Sequence, residues 1–142
     1  MSIITFAQSE INKFKLVPKK GWYLGMVTKV KDGRKSDKSE AIIHDVEIEL
    51  RDPEVQGTII SCWPNDKMQA YAAKFYSACM NMTVDELMKD AASQEVDMKN
   101  CLEQELMVEV SHRKSDKGDL QNEATDFAPM KAGVRGDAPF GE

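Results

Sequence analysis

A chain of 142 residues, 42% hydrophobic and 30% charged, has the size of one domain and the composition of a globular protein. Those figures exclude a disordered chain, a collagen and a coiled coil; at this length about 70% of the unfolded surface can be buried, enough for a core without disulfides or metal. The net charge of −5 argues against a nucleic-acid partner until it is divided: residues 1–38 carry nine Lys/Arg against three Asp/Glu, and residues 39–142 carry ten against twenty-one, so a local basic surface fits on an acidic protein.

No run of about 20 apolar residues occurs, and Met1-Ser2-Ile3-Ile4-Thr5-Phe6 lacks the basic and long apolar regions of a leader, so neither a membrane span nor a signal peptide is expected. Cys62, Cys79 and Cys101 are odd in number and widely spaced, which fits reduced thiols in the cytoplasm. With only His44 and His112 to join them, the spacing is wrong for zinc, and no cofactor or metal is expected.

In chain order, Ile3 to Val17 has no clean period and reads as a lead-in that adds at most an edge strand. Pro18-Lys19-Lys20-Gly21 is a turn. Trp22 to Lys31 reads as a strand, with Trp22, Leu24, Met26 and Val30 on one face and Tyr23, Val27, Lys29 and Lys31 on the other; Gly25 within it marks a bend. Asp32 to Glu40 is a charged loop. Ala41 to Leu50 is a second strand in which Val46, Ile48 and Leu50 alternate with Asp45, Glu47 and Glu49. After a turn with Pro53 and Gly57, Thr58 to Trp63 is a third strand stopped by Pro64.

A helix follows, capped by Asn65 or Asp66, with Met68, Tyr71, Ala72, Phe75 and Cys79 forming one stripe. Thr83-Val84-Asp85-Glu86 has the spacing of a capping box and opens a short second helix with Leu87 and Met88 inward. Leu106, Val108 and Val110 mark a fourth strand, His112 to Leu120 a charged loop, and Gln121 to Ala128 a fifth strand ended by Pro129. The expected fold is mainly β: a five-stranded β-barrel of the OB-fold with helices between strands three and four. Its domain spans residues 1–129, residues 1–20 being the lead-in, and residues 130–142 form a flexible tail.

The most informative feature is a near-repeat. Arg34-Lys35-Ser36-Asp37-Lys38 in the first loop matches Arg113-Lys114-Ser115-Asp116-Lys117 in the last. In an OB-fold these loops flank the binding face, and two cationic loops beside a groove grip phosphates by releasing counterions. The same residues also suit plain turns. Lys29, Lys31, Arg34, Lys35, Lys38, Arg113, Lys114 and Lys117 are the candidate phosphate contacts. Tyr23, Trp63 and Phe127 are candidate platforms for base stacking, although such rings are commonly core. Tyr71, Phe75 and Tyr76 are expected to pack the helix, and His112 is a minor candidate for a phosphate contact.

Asp45, Glu47 and Glu49 on one face oppose a phosphate partner unless Lys29 and Lys31 pair with them across strands. They also raise a Mg²⁺-dependent nuclease, but acids at alternate positions of one strand diverge, and no nucleophilic triad or phosphate-binding glycine run accompanies them. No catalysis is expected.

Gly21-Trp22-Tyr23, the Lys35-to-Lys38 loop, Val46-Glu47-Ile48-Glu49-Leu50, Asp52-Pro53, Gly57, the Leu106-to-Val110 strand, the Lys114-to-Gly118 loop and Asn122 together resemble a family of small phage-encoded OB-fold proteins. The resemblance covers about residues 20–130 and implies a single-stranded-DNA-binding protein of replication and recombination. It departs at Glu103-Gln104, where a glycine-containing turn is expected. The stretch Asp137-Ala138-Pro139-Phe140 is similar to the tip of bacterial single-stranded-DNA-binding proteins, which implies that Asp137, Pro139 and Phe140 recruit a protein partner. Self-association is compatible with all of this. The reading from another class is an OB-fold protein-interaction module that uses the acidic residues 84–109.

Overall fold

The computed structural model describes residues 2–37, 40–89 and 95–130. Its centre is β1 (Gly21–Val30), a ten-residue strand with an antiparallel neighbour on each side: β4 (Val46–Leu50) and β6 (Glu105–Lys114). β5 (Ile59–Cys62) pairs with β4 and β7 (Leu120–Ala128) with β6, giving the order β5-β4-β1-β6-β7. The two edge strands approach one another, but no ladder joins them among the described residues. The expected barrel is therefore a curled, open sheet. A separate small ladder pairs β2 (Arg34–Lys35) with β3 (Ile42–Ile43), inside what the sequence suggested was one loop and the start of one strand.

Alternation grouped β1 correctly as far as Val27, but the face with Tyr23 is the inner one and Val30 belongs to it. Tyr23, Val27 and Val30 are buried, whereas Trp22, Leu24 and Met26 are half-buried. The inward residues of the neighbours decide this: Tyr23 lies opposite Val108, and Val27 opposite Ile48. A register shift between Val27 and Lys29 then inserts Thr28, which returns Val30 to the inner face opposite Val46. Gly25 matters for space, since a Cβ there would stand 2.6 Å from Ile48 Cγ2.

Helices follow β5, as their spacing predicts. Asn65 Oδ1 accepts from the N–H groups of Lys67 and Met68, both at 3.0 Å, ahead of α2 (Gln69–Cys79). Phe75 and Cys79 of the predicted stripe are buried with Tyr76, whereas Met68 is exposed. α2 lies along β7, where Tyr71 Oη donates to the Ala124 carbonyl at 2.8 Å. The capping box of α3 (Val84–Met88) is present in both directions, Glu86 N–H to Thr83 Oγ1 at 3.1 Å and Thr83 N–H to Glu86 Oε1 at 2.8 Å. Leu87 is buried; Met88, expected inward, is exposed.

The lead-in adds no strand. It forms one helical turn, α1 (Gln8–Ile11), and a 3₁₀ turn (Asn12–Phe14) that packs near β5. Residues 15–17 are then held by β6 and β7: Asn122 Nδ2 donates to Lys15 O at 2.6 Å, Val17 N–H donates to Asn122 Oδ1 at 3.0 Å, and His112 Nε2 lies 2.9 Å from Val17 O. The segment thus touches both unpaired edges of the sheet, and the Val17 side chain enters the core.

β6 is entered through a turn where a glycine was expected. Glu103 adopts φ 66°, its N–H donates to Val27 O at 2.8 Å, and Gln104 O accepts from Val27 N–H at 3.0 Å. Two main-chain bonds to β1 hold a side-chain-bearing residue in the left-handed region. No helix among the described residues is long and apolar enough to cross a membrane.

Candidate nucleic-acid interface

The β4–β5 ladder carries on past β4. Val46 faces Cys62, and His44 N–H donates to Pro64 O at 3.0 Å, so Asp45 and Trp63 stand opposite one another. β1 arrives from the other side, with Lys31 N–H donating to Asp45 O at 3.0 Å. Arg34 on β2 closes the group with a two-pronged contact, Nε to Asp45 Oδ2 at 2.7 Å and Nη2 to Oδ1 at 3.0 Å. The Trp63 side chain stands close enough to the Asp45 carboxylate to help lower its pKa. These contacts, Arg34 foremost, hold the Asp45 carboxyl below the ordinary carboxylate range, and the carboxylate raises Arg34 in turn. One acid thereby collects an exposed indole, with 51% of its surface in solvent, beside the cations Arg34 and Lys31.

Each acid on this face has a cation. Glu47 is 2.9 Å from Lys13 Nζ and 3.9 Å from Lys29 Nζ, and Glu49 is 3.2 Å from Arg51 Nη2. Hydrogen bonding to Glu47, more than to Glu10, raises Lys13. The face is therefore a mosaic of both signs, with Lys29 pairing across strands as expected. The strand pattern gave no sign that the lead-in would supply Lys13 or that Asp45 would organise the group.

Lys35 pairs with Glu40 at 3.0 Å, and Lys38 lies outside the described residues. The second basic loop is elsewhere. Gly21 stands opposite Val110 and Met26 opposite Glu105, so Arg113 and Lys114 continue β6 past the first residue of β1, whereas Arg34 follows its last. About 30 Å of β1 separates those ends. The two loops therefore leave the antiparallel β1–β6 ladder at opposite ends. Arg113 lies 3.7 Å from Glu123, and Lys114 and Lys117 are exposed around the Ser115–Asp119 turn.

Two stacking candidates are corrected. Tyr23 is 4% exposed, with its hydroxyl donating to Lys19 O, and Phe127 is 2% exposed. Phe127 meets Tyr71 and Phe75 edge-on, each at a centroid distance of 5.2 Å. Phe127 is core because β7 faces it toward α2, and Tyr23 because it shares the inner face of the sheet with Val108 opposite. Burial raises Tyr23 and, more strongly, Tyr71. His112 is also corrected: it holds Val17 rather than standing free for phosphate. Asp137, Pro139 and Phe140 lie outside the described residues.

Cys62, Cys79 and Cys101 are buried free thiols, and burial pushes Cys62 strongly upward. Among the described residues no group of three or more His, Cys, Asp or Glu side chains is gathered to hold a metal ion. No family model and no curated protein matches the chain.

Proposed function

We propose that the protein is a non-catalytic single-stranded-DNA-binding protein of OB-like architecture, acting in DNA replication or recombination. The order β5-β4-β1-β6-β7, with helices after the third sheet strand and the two edges approaching one another, supports this reading, since an OB-like barrel opened at one seam accommodates it. The observation that carries the reading is the exposed Trp63 indole beside Arg34 and Lys31.

A base stacks on Trp63, a contact that needs no particular sequence. Lys29, Lys31, Arg34 and Lys35 take the phosphates on either side. Arg34, Lys35 and Lys29 already hold carboxylates through cationic ends that are 46–67% exposed, where a phosphate can reach them and take the carboxylate's place. Arg113, Lys114 and Lys117 form a separate, weaker contact for a longer strand. The tail with Asp137, Pro139 and Phe140 recruits a replication or recombination protein.

The test is fluorescence of the Trp22→Phe variant, in which Trp63 is the sole tryptophan. Oligo-dT quenches it, affinity falls with salt by a log–log slope of about −0.7 per phosphate, and duplex DNA binds more weakly. Equal affinity for duplex, or a slope near zero, overturns the proposal.

A further inference from the structure

His44 stands between the cations and the indole of this site. The chain leaves β1, passes Lys31, makes the β2–β3 ladder that carries Arg34, and returns at His44. Where the two ends of that excursion meet, His44 Nδ1 lies 3.1 Å from the Lys31 carbonyl oxygen. A carbonyl only accepts, so Nδ1 carries the proton and donates. The next residue holds the other side of Lys31, whose N–H donates to Asp45 O at 3.0 Å. His44 and Asp45 thus clasp the main chain of Lys31 by its carbonyl and its amide.

The main chain of His44 reaches the other way. Its N–H donates to Pro64 O at 3.0 Å, one residue past Trp63. Ile43, beside it, bridges to Asn65 and faces Arg34 across the β2–β3 ladder. The ring and the amide of one residue therefore join the strand end that carries Lys31 to the segment that carries Trp63. The excursion is drawn close around the ring: a Cβ at Gly33 would stand 2.7 Å from Ile42 Cγ2 and 3.2 Å from His44 Cε1. A glycine is what lets the chain pass there without displacing the imidazole.

We infer that His44 is a positioning residue of the single-stranded-DNA site: its imidazole fixes the neck of the β2–β3 excursion, and so the spacing of Lys31 and Arg34 from the Trp63 indole. The inference rests on the function proposed above. Cations on a loose excursion would still attract phosphate, but each would have to be ordered as the base settles on Trp63; a clamped neck removes that cost before binding. Lys31 is exposed, so water replaces the imidazole at its carbonyl when the ring is removed, and the loss falls on geometry more than on global stability.

Two measurements on the full chain test it. The first needs no DNA and no variant: nitrogen-15 NMR of the imidazoles at about pH 8.5 finds His44 as the Nδ1–H tautomer. The Nε2–H tautomer overturns the inference whatever the DNA does. The second is oligo-dT titration. His44→Ala weakens binding by about threefold or more, the scale of one lost hydrogen bond. His44→Asn, whose side-chain amide stands where Nδ1 stands and donates as it does, recovers at least half of that loss, which a merely structural role for the ring would not give. Lys31→Ala costs less in the His44→Ala background than in the parent, because the two act through one contact. When the parent binds oligo-dT, an unchanged affinity in His44→Ala, no recovery in His44→Asn or additive losses overturn the inference and leave the proposed function standing. A parent that oligo-dT does not quench overturns that function and this inference with it.

Discussion

Asn122 of β7 binds Val17 of the lead-in as a strand would, its Oδ1 accepting the Val17 N–H at 3.0 Å while its Nδ2 donates to the carbonyl two residues earlier. One side-chain amide thus supplies both halves of a main-chain pairing, and it does so between the unpaired edges of the sheet. Asn122→Ala is expected to cost about 1–3 kcal/mol, since it strands main-chain groups that are partly buried. Urea unfolding of the two proteins measures it, and Asn122→Asp, which keeps the acceptor and loses the donor, recovers only part of the loss.

Glu103→Gly is expected to raise stability by about 0.5–1 kcal/mol. The left-handed φ of 66° costs a side-chain-bearing residue about 1–2 kcal/mol, and the greater freedom of glycine in the unfolded chain returns part of the gain. Thermal unfolding checks the sign.

Phe127→Ala is expected to cost about 3–5 kcal/mol, because the ring is buried against Tyr71 and Phe75 and its loss leaves a cavity. Trp63→Ala, at an exposed ring, is expected to leave stability nearly unchanged and to abolish most oligo-dT affinity. Parallel denaturation and binding measurements separate the two roles.

Asp45 sets a pH dependence. Its carboxyl is held below the ordinary range in the folded protein, so the unfolded chain takes up the proton first as pH falls. Its contribution is full above about pH 4, the unfolded value, and is lost as pH drops through the lower folded value. Asp45→Asn is therefore expected to be less stable than the parent at pH 7 and equal to it at the acid limit, as read by urea midpoints across that range. The same variant releases Arg34 and is expected to tighten oligo-dT binding by about twofold or more, since a cation is freed and a repelling charge removed.

The separation of the two basic loops gives an asymmetric outcome. Lys31→Glu with Arg34→Glu is expected to weaken oligo-dT binding by about tenfold or more and to flatten the salt slope by about 1.4, two phosphates at 0.7 each. Arg113→Glu with Lys114→Glu is expected to weaken short oligonucleotides by less than about threefold. Titration at two salt concentrations with oligonucleotides of two lengths distinguishes them.

What the sequence determined by itself was local. Alternation in Val46–Leu50 predicted its inner and outer faces, the Thr83–Glu86 spacing predicted both capping bonds, and the polar residues after Trp63 predicted the start of α2. These depend on repeats of two or 3.6 residues and on bonds between neighbours, so they are legible one segment at a time. Tertiary structure decided the rest. One inserted residue, Thr28, moved Val30 onto the inner face, and the partners across the sheet, not the pattern of β1, buried Tyr23. Chain direction parted two loops that look alike, and an asparagine more than 100 residues away fastened the lead-in. Register and direction are properties of strand pairs, and a pair has no signature in either strand alone.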